Sequence, residues 1–532
     1  MTGRDYYQRG LWRDDTLYSL MAAHAGARPR AFALRDGARR LSWAELARWT
    51  DAVAADFHAA GLVPGARVSL WMSNRVEAVV ALLACARNGY VCNPSLHRNY
   101  SDAEVRARLD QLSAQALLVE DGFGEAAAPS LRKTYRLRAG HDPGPDLPGP
   151  DAAPGDLPAR ATDPDAVFYI AFTSGTTGAP KGVMHSANTL LANARDLVAD
   201  WGHGPDTVLL SLSPLSHHIA WVALAQALVG GCELVINDPP PSATSLDWIV
   251  ETGASYVMGV PTHAIDVLAE QKARGLSRLG KVSVFYMAGS PIPPATAQAF
   301  VDQGIKPQNV YGMTENSSHQ YTHPDDDTAT ITATCGRGGP AYEVRLFKQD
   351  DRDIAAAPGE VGEIGGRGAA LTLGYFDDKA ATQAAFNRDG WFMSGDLGRL
   401  DEAGCLSIVG RLKDLIIRGG RNIHPARIEN LAMGHPAVEK AAAFAVPDER
   451  LGEKVCLAIL PSGPAPDAQD VLTHLHHAGL SITDMPEYFI AMPEFPLTAS
   501  GKILKRDLAA RARDGTLAPT PVRFTEPSRG PA

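Results

Sequence analysis

TSGTTGAPKG, residues 173 to 182, follows directly on the apolar run AVFYIAF, residues 166 to 172. A short run of β-branched and aromatic residues reads as a buried strand, so the glycines begin where that strand ends, at a sheet edge. Gly175, Gly178 and Gly182 lack Cβ and tolerate φ > 0, which lets successive backbone N–H groups converge on an anion. Thr173, Ser174, Thr176 and Thr177 add hydroxyl donors, and Lys181 adds a positive charge. Together they suit a polyphosphate. A Walker loop needs glycine immediately before its lysine, and Pro180 occupies that place, so the stretch is a different phosphate loop; a flexible polar loop is the bland alternative.

Working outward, 532 residues exceed what one hydrophobic core organises, and two or more domains are expected. The formal net charge of -10 argues against a nucleic-acid backbone or an anionic membrane as the main partner and favours a small molecule. Six cysteines without CxxC spacing fit a reduced compartment and offer no metal framework. The opening MTGRDYYQRGLWRDD has no apolar signal core, and the last residues show no prenylation cysteine or peroxisomal tripeptide, so a cytoplasmic location is expected. Ile219 to Ile236 is strongly apolar, but Gln226, Gly230, Gly231 and Glu233 divide it into a helix and a strand, so no integral membrane association is expected.

Helix and strand patterns alternate along the first part. Ser42 and Glu45 form a capping box for a helix continuing through Val53, residues 66 to 72 read as a strand, and residues 77 to 86 as a helix. Such alternation indicates an α/β layer with a largely parallel sheet. Residues 142 to 165, rich in Pro, Gly, Asp and Ala, read as a surface linker. Beyond the loop, residues 186 to 200 read as a helix and 207 to 212 as a strand running into PLSHH, residues 214 to 218. A histidine pair there is by itself an ordinary polar turn. The units at 254 to 261 and 282 to 288 follow, the second ending in Gly289 and Ser290, and then NVYGMTE, residues 309 to 315. Ligands of open α/β sheets gather at the carboxyl ends of strands, so these loops are expected around one cleft.

With the loop, PLSHH, AGSPIPP (288 to 294), YGMTE (311 to 315), GEIGGRG (362 to 368), GYF (374 to 376), GWFMSGDLG (390 to 398), GRLKDLIIRGGRNIHPARIE (410 to 429) and PLTASGKILKRDL (496 to 508) in this order, the chain resembles the adenylate-forming superfamily, in its acyl-CoA synthetase branch. The resemblance implies an α/β fold with a large multi-sheet domain, residues 1 to 412, and a small mobile α+β lid, residues 413 to 532, hinged near Lys413. It implies ATP, Mg²⁺ and coenzyme A: a carboxylate is joined to ATP as acyl-adenylate with release of pyrophosphate, then passed to a thiol. Carboxylate and triphosphate repel each other, so charge must be neutralised near the α-phosphate.

By that resemblance the catalytic set is Lys502, His217, Thr314 and Glu315, with Glu315 also the Mg²⁺ ligand, since Mg²⁺ favours one or two carboxylates plus phosphate oxygens. Nucleotide binding falls to Thr173, Ser174, Gly175, Thr176, Thr177, Lys181, Gly289, Ser290, Tyr311, Asp396 and Arg411, and Gly420 lets pantetheine approach the backbone. For Lys502 taken alone, a solvated basic tail with Lys505 and Arg506 is the bland reading. The acyl pocket is expected around Ile219, Trp221, Met258, Gly259, Ala288 and Met313, apolar and partly small. No acidic residue lies in 214 to 222 to hold a substrate ammonium, so a non-amino aliphatic, alicyclic or aromatic acid is expected. The acceptor is CoA or, alternatively, a carrier protein, and a nucleotide sensor without turnover is the competing class. Monomer and homodimer both remain open. Gly366, where such chains commonly place a strand former, Ala220, Ser290, Arg421 and His424 depart from the usual pattern.

Overall fold

The apolar run before the glycine-rich stretch forms the strand Val167–Thr173 in a computed structural model that describes residues 3–125, 128–173, 180–497 and 503–525. It pairs antiparallel with Lys181–Ser186, Thr173 opposite Lys181, so the chain leaves and re-enters a sheet edge across the loop. Lys181 and Gly182 therefore open a strand rather than belonging to the loop. Gly182 does not adopt positive φ. Its lack of a side chain makes room instead: a Cβ there would lie 3.0 Å from Ile170 Cγ2 and 3.4 Å from Phe376 Cβ.

The chain divides into two compact units, one of Met1–Val344, Gly366–Phe392 and Ala403–Leu406, the other of Arg345–Gly365, Met393–Glu402 and Ser407–Ala532. Two sheets build the first unit. One runs Lys133–Leu137, Ala116–Glu120, Arg67–Trp71, Val91–Asn93, Val167–Thr173, Lys181–Ser186. The other runs Ser317–Tyr321, Lys306–Met313, Val284–Ala288, Tyr256–Gly259, Val208–Ser211, Glu233–Ile236, Phe32–Arg35, Arg40–Ser42. The neighbours from Lys306–Met313 through Glu233–Ile236 are parallel, so the loops after residues 211, 259, 288 and 313 emerge side by side, as the strand-end argument requires.

One core cluster joins Val68 and Leu70 of the first sheet to Leu209, Tyr256, Met258 and Tyr286 of the second through the helices Val76–Asn88 and His218–Gly230. Every residue of Val76–Asn88 is buried, which its nearly continuous apolar sequence permits. The opposite face of the second sheet carries Leu210, Val257, Phe285 and Met287 in a separate core cluster. Ser42 and Glu45 form the expected capping box of the helix Trp43–Ala59. The segment read as a surface linker is partly interior: Leu147 is buried, and Trp49 Nε1 donates to Pro148 O at 2.6 Å. All six cysteines are buried. Among the described residues, no helix is long and apolar enough to cross a membrane.

In the second unit, Arg421–Ile423, Ile416–Arg418, Gly452–Pro461, Tyr488–Ala491 and Thr520–Pro521 form a sheet in which Val438–Asp448 also pairs with Gly452–Pro461. The helices Pro425–Ala432 and Ala468–His477 contribute Ile428, Val471, Leu472 and Leu475 to its core.

Candidate active site

Three separated motifs of the first unit meet at Glu315. Its carboxylate is almost fully buried, and Tyr375 Oη donates to Oε1 at 3.0 Å. Burial, with the charge of Glu315, pushes the Tyr375 phenol well above its ordinary value, so the group stays a donor. The Lys181 ammonium lies 4.7 Å from the centroid of the same ring. The backbone sets this up: the strand Lys181–Ser186 bonds to residues 373–376, with Phe376 N to Gly182 O at 2.7 Å and Met184 N to Gly374 O at 3.0 Å. Thr372 N in turn donates to Glu315 O at 2.7 Å.

The turn that carries Thr314 and Glu315 is specified locally. Met313 N donates to Asn316 Oδ1 at 3.0 Å, and Ser317 takes left-handed φ of 55°. Gly312 must be glycine, because a Cβ there would collide with Ser317 O. A histidine pair, His185 buried and His218 half-buried, then holds the turn from beneath. His185 Nε2 lies 2.6 Å from Thr314 O, an acceptor only, so Nε2 carries the proton and Nδ1 accepts from Thr189 Oγ1 at 2.9 Å. His218 stacks on His185 with centroids 5.3 Å apart and reaches Ser317 Oγ at 3.0 Å and Tyr169 Oη at 3.1 Å. Burial pushes His185 down to about 4 and His218 well below the usual range, so both rings are neutral near pH 7.

Tyr311, half-buried, meets His319 edge-on at 5.4 Å. His217 caps the helix His218–Gly230 with its backbone, and its ring rests 4.9 Å from that of His97. Gly289 and Ser290 are exposed at the end of Val284–Ala288, and Gly289 takes φ of 95°. Of the expected acyl-pocket residues, Trp221, Met258 and Ala288 belong to the core cluster between sheet and helix, with Ile219 packed against it. Gly259 closes its strand beside His263, and Met313 is half-buried. The departure at Gly366 has a steric reason, since a Cβ there would strike the ring of Tyr342.

Within the second unit, Asp396 is buried and Arg411 Nε lies 3.0 Å from its Oδ1. The turn before Asp396 is fixed by Glu363, whose Oε1 accepts from Gly395 N at 3.1 Å and whose pKa burial raises. Lys413 occupies the 3-10 turn Leu412–Asp414. Gly419 and Gly420, with φ of 57° and 83°, form the two-residue turn between Ile416–Arg418 and Arg421–Ile423, so Gly420 is required first by the backbone. Arg421 pairs with Asp484 at 2.8 Å. Leu497 bridges Ile503 on either side of the Lys502 stretch. Lys505 is no solvated tail: its Nζ lies 2.6 Å from Oε1 of the buried Glu429. Lys502, Ser174, Gly175, Thr176 and Thr177 lie outside the described residues.

The sequence profile of the AMP-binding enzyme family matches residues 21–376, and that of its C-terminal domain residues 427–502. The chain belongs to the AMP-binding enzyme family. Feruloyl-CoA synthase of an Amycolatopsis species is 32% identical, covering 94% of this chain and 99% of its own. Medium-chain fatty-acid–CoA ligase of Escherichia coli K12 is 29% identical over 95% of this chain and 93% of its own. The solved structure of ATP-bound MatB from Rhodopseudomonas palustris superposes with a TM-score of 0.82 at 26% identity, covering 94% of this chain and 99% of that one. The expected adenylate-forming fold and AMP-forming ligase class are thereby borne out.

For an AMP-binding enzyme, the residues with the densest contacts to the site turn were not all singled out from sequence. Tyr375 sat within the quoted GYF, yet nothing in one dimension indicated that its hydroxyl reaches Glu315. His185 follows Lys181 by four residues on an edge strand, and its alternation with Val183 was the available signal that both point to one face. Glu363 lay in GEIGGRG without a partner until folding supplied Gly395.

Proposed function

We propose that this enzyme is an acyl-CoA ligase that activates a non-amino carboxylic acid as acyl-AMP and passes the acyl group to the thiol of CoA. The observation that supports this most is the convergence of Lys181, Tyr375, Glu315 and the histidine-clamped Thr314 turn. A carboxylate oxygen of the acid attacks the α-phosphorus of ATP, the bond from that phosphorus to the β-bridging oxygen breaks, and pyrophosphate leaves. Thr314 offers a hydroxyl to the phosphate, Tyr311 lies against adenine, Asp396 accepts from the ribose hydroxyls with Arg411 beside it, and Lys502 offsets the charge between acid and phosphate. Mg²⁺ fits Glu315, an oxygen donor already oriented by a phenol, and when bound it neutralises phosphate charge. In the second step the sulfur attacks the acyl carbon, the carbon–oxygen bond to AMP breaks, and AMP and the thiol proton leave. Lys413 serves as the hinge for the exchange of steps, and the Gly419–Gly420 turn presents backbone to pantetheine.

The test is a panel of carboxylic acids with MgATP, read as pyrophosphate release with CoA, with a pantetheinylated carrier protein, and with neither. Thioester formation on CoA is expected. Turnover only with the carrier protein would reassign the acceptor, and ATP binding without pyrophosphate release from any acid would make the chain a sensor.

A further inference from the structure

The opening helix Gly3–Gln8 leaves a recess between its far end and the segments around residues 341 and 367 of the first unit. Trp12 Nε1 donates to Ala369 O at 2.9 Å, and Tyr6 packs with Ala341 and Ala369, so these first residues are fixed on the unit rather than trailing from it. The recess has a volume of about 240 Å³, walled by Tyr6 and Tyr342 and lined by Arg9, Glu343 and Arg367. Two guanidiniums in one recess stand out in a chain of net charge -10. Arg367 is held from two sides: its Nε lies 2.9 Å from Glu343 Oε2, and its guanidinium carbon lies 4.2 Å from the Trp391 ring centroid. Glu343 takes the Nε side, which leaves the Nη donors for another acceptor. Burial raises the pKa of Tyr6 and the charges of Arg367 and Arg9 oppose that rise, so both arginines act on the same side chain.

Tyr342 connects this recess to the catalytic turn. Its Oη accepts from Asn316 Nδ2 at 3.1 Å, and Asn316 Oδ1 accepts from Met313 N at 3.0 Å, the bond that shapes the turn of Thr314 and Glu315. Its ring lies 4.2 Å from that of His319, which in turn lies 5.4 Å from Tyr311. The missing side chain of Gly366 makes room for the Tyr342 ring, so that departure from the usual pattern serves this placement.

Pockets for drug-sized ligands span about 300–1,000 Å³, so a smaller recess suits a compact molecule. Guanidinium forks bind carboxylate and phosphate oxygens through charge-assisted hydrogen bonds, and the two aromatic walls shield such bonds from water. We propose that the recess is a binding site for a small organic oxyanion, bearing a phosphate or carboxylate group held by Arg367 and Arg9, whose presence favours MgATP binding through Tyr342 and Asn316. The coupling to MgATP rests on the acid-activating reading of the site, and the binding stands apart from it.

The experiment is calorimetric titration of the full chain with inorganic phosphate, glycerol 3-phosphate and succinate, each in saturating MgATP so that the nucleotide site is closed to the probe. At least one probe should bind, and Arg367→Gln and Arg9→Gln should each weaken it by about tenfold. Arg9 is exposed, so its variant decides if Arg367→Gln does not fold. In AMP formation from acid and CoA, the bound probe should lower the KM for MgATP by about fivefold, whereas a competitor at the nucleotide site would raise it. Tyr342→Phe keeps the wall and loses the hydroxyl, so it should bind the probe and lose the effect on KM. No binding of any probe at millimolar concentration, or equal binding by the wild-type chain and the folded arginine variants, overturns the site. Binding with an unchanged or raised KM, or an effect that survives in Tyr342→Phe, overturns the coupling. AMP formation from no acid overturns the activating reading, and the titrations still decide the binding.

Discussion

Replacing Tyr375 with Phe removes one oxygen and little else. The ring face that Lys181 approaches at 4.7 Å remains, so the lysine's cation–π contact should survive. What disappears is the 3.0 Å donation to Glu315 Oε1, between two residues that are each at most 9% exposed. A hydrogen bond to a charged acceptor contributes about 1.5–3 kcal/mol, so if it serves to aim the carboxylate, the Mg²⁺-dependent step should slow by roughly tenfold to a hundredfold. The assay is ATP–pyrophosphate exchange across a magnesium titration, where Tyr375→Phe should raise the half-saturating magnesium concentration and lower the rate. Because burial and Glu315 raise the phenol, the wild-type donor is intact at every working pH, and the deficit should be constant from pH 6 to pH 9 on the order of the assay's precision. Unchanged exchange at limiting magnesium in the folded variant would falsify the claim that Tyr375 orients Glu315.

Glu315→Gln should weaken the magnesium response further still, because a neutral amide is a poor ligand for a hard cation; identical titrations for the wild-type and variant enzymes would refute the metal role. Asp196 gives a pH test: burial raises its carboxyl to about 7 despite the Ala341 N–H at 2.8 Å. The folded chain then keeps a proton that the unfolded chain releases near pH 4, so stability is lost as pH rises from about 4 to about 7, by at most about 4 kcal/mol. Asp196→Asn should raise the unfolding temperature at pH 8 and leave it nearly unchanged at pH 4.5, and a uniform shift at both would contradict the assignment. The two half-reactions should separate in Lys502→Ala, which loses adenylation but keeps thioester formation from supplied acyl-adenylate, and in Gly420→Asn, which does the reverse. Asn tolerates the left-handed turn that Leu would strain. Equal loss of both steps in both folded variants would show one fixed site serving the whole reaction.

Much of this protein was determined by local sequence. Alternation of short apolar runs with amphipathic stretches specifies strands and helices through backbone periodicity alone, and Ser42 with Glu45 closes its helix using neighbours three residues apart. The strand-end loops were legible for the same reason, since parallel strands must deliver their carboxyl ends to one side. The ordered motifs identified the chemistry because each needs particular residue types, such as an Asp after the Gly395 turn. Other features depended on contacts across long chain separations. The hydroxyl of Tyr375 reaches Glu315 sixty residues away, and His185 selects its tautomer from a carbonyl 129 residues on. Lys505 turned from a basic tail into the partner of a buried Glu429, and Leu147 from linker into core. Gln226 looked like a mere interruption of an apolar run until the sheet brought Met258 Sδ to within 3.5 Å of its Nε2. Pairing and desolvation are properties of a site in three dimensions, and only the packed strands and helices decide which polar groups meet and which lose their water.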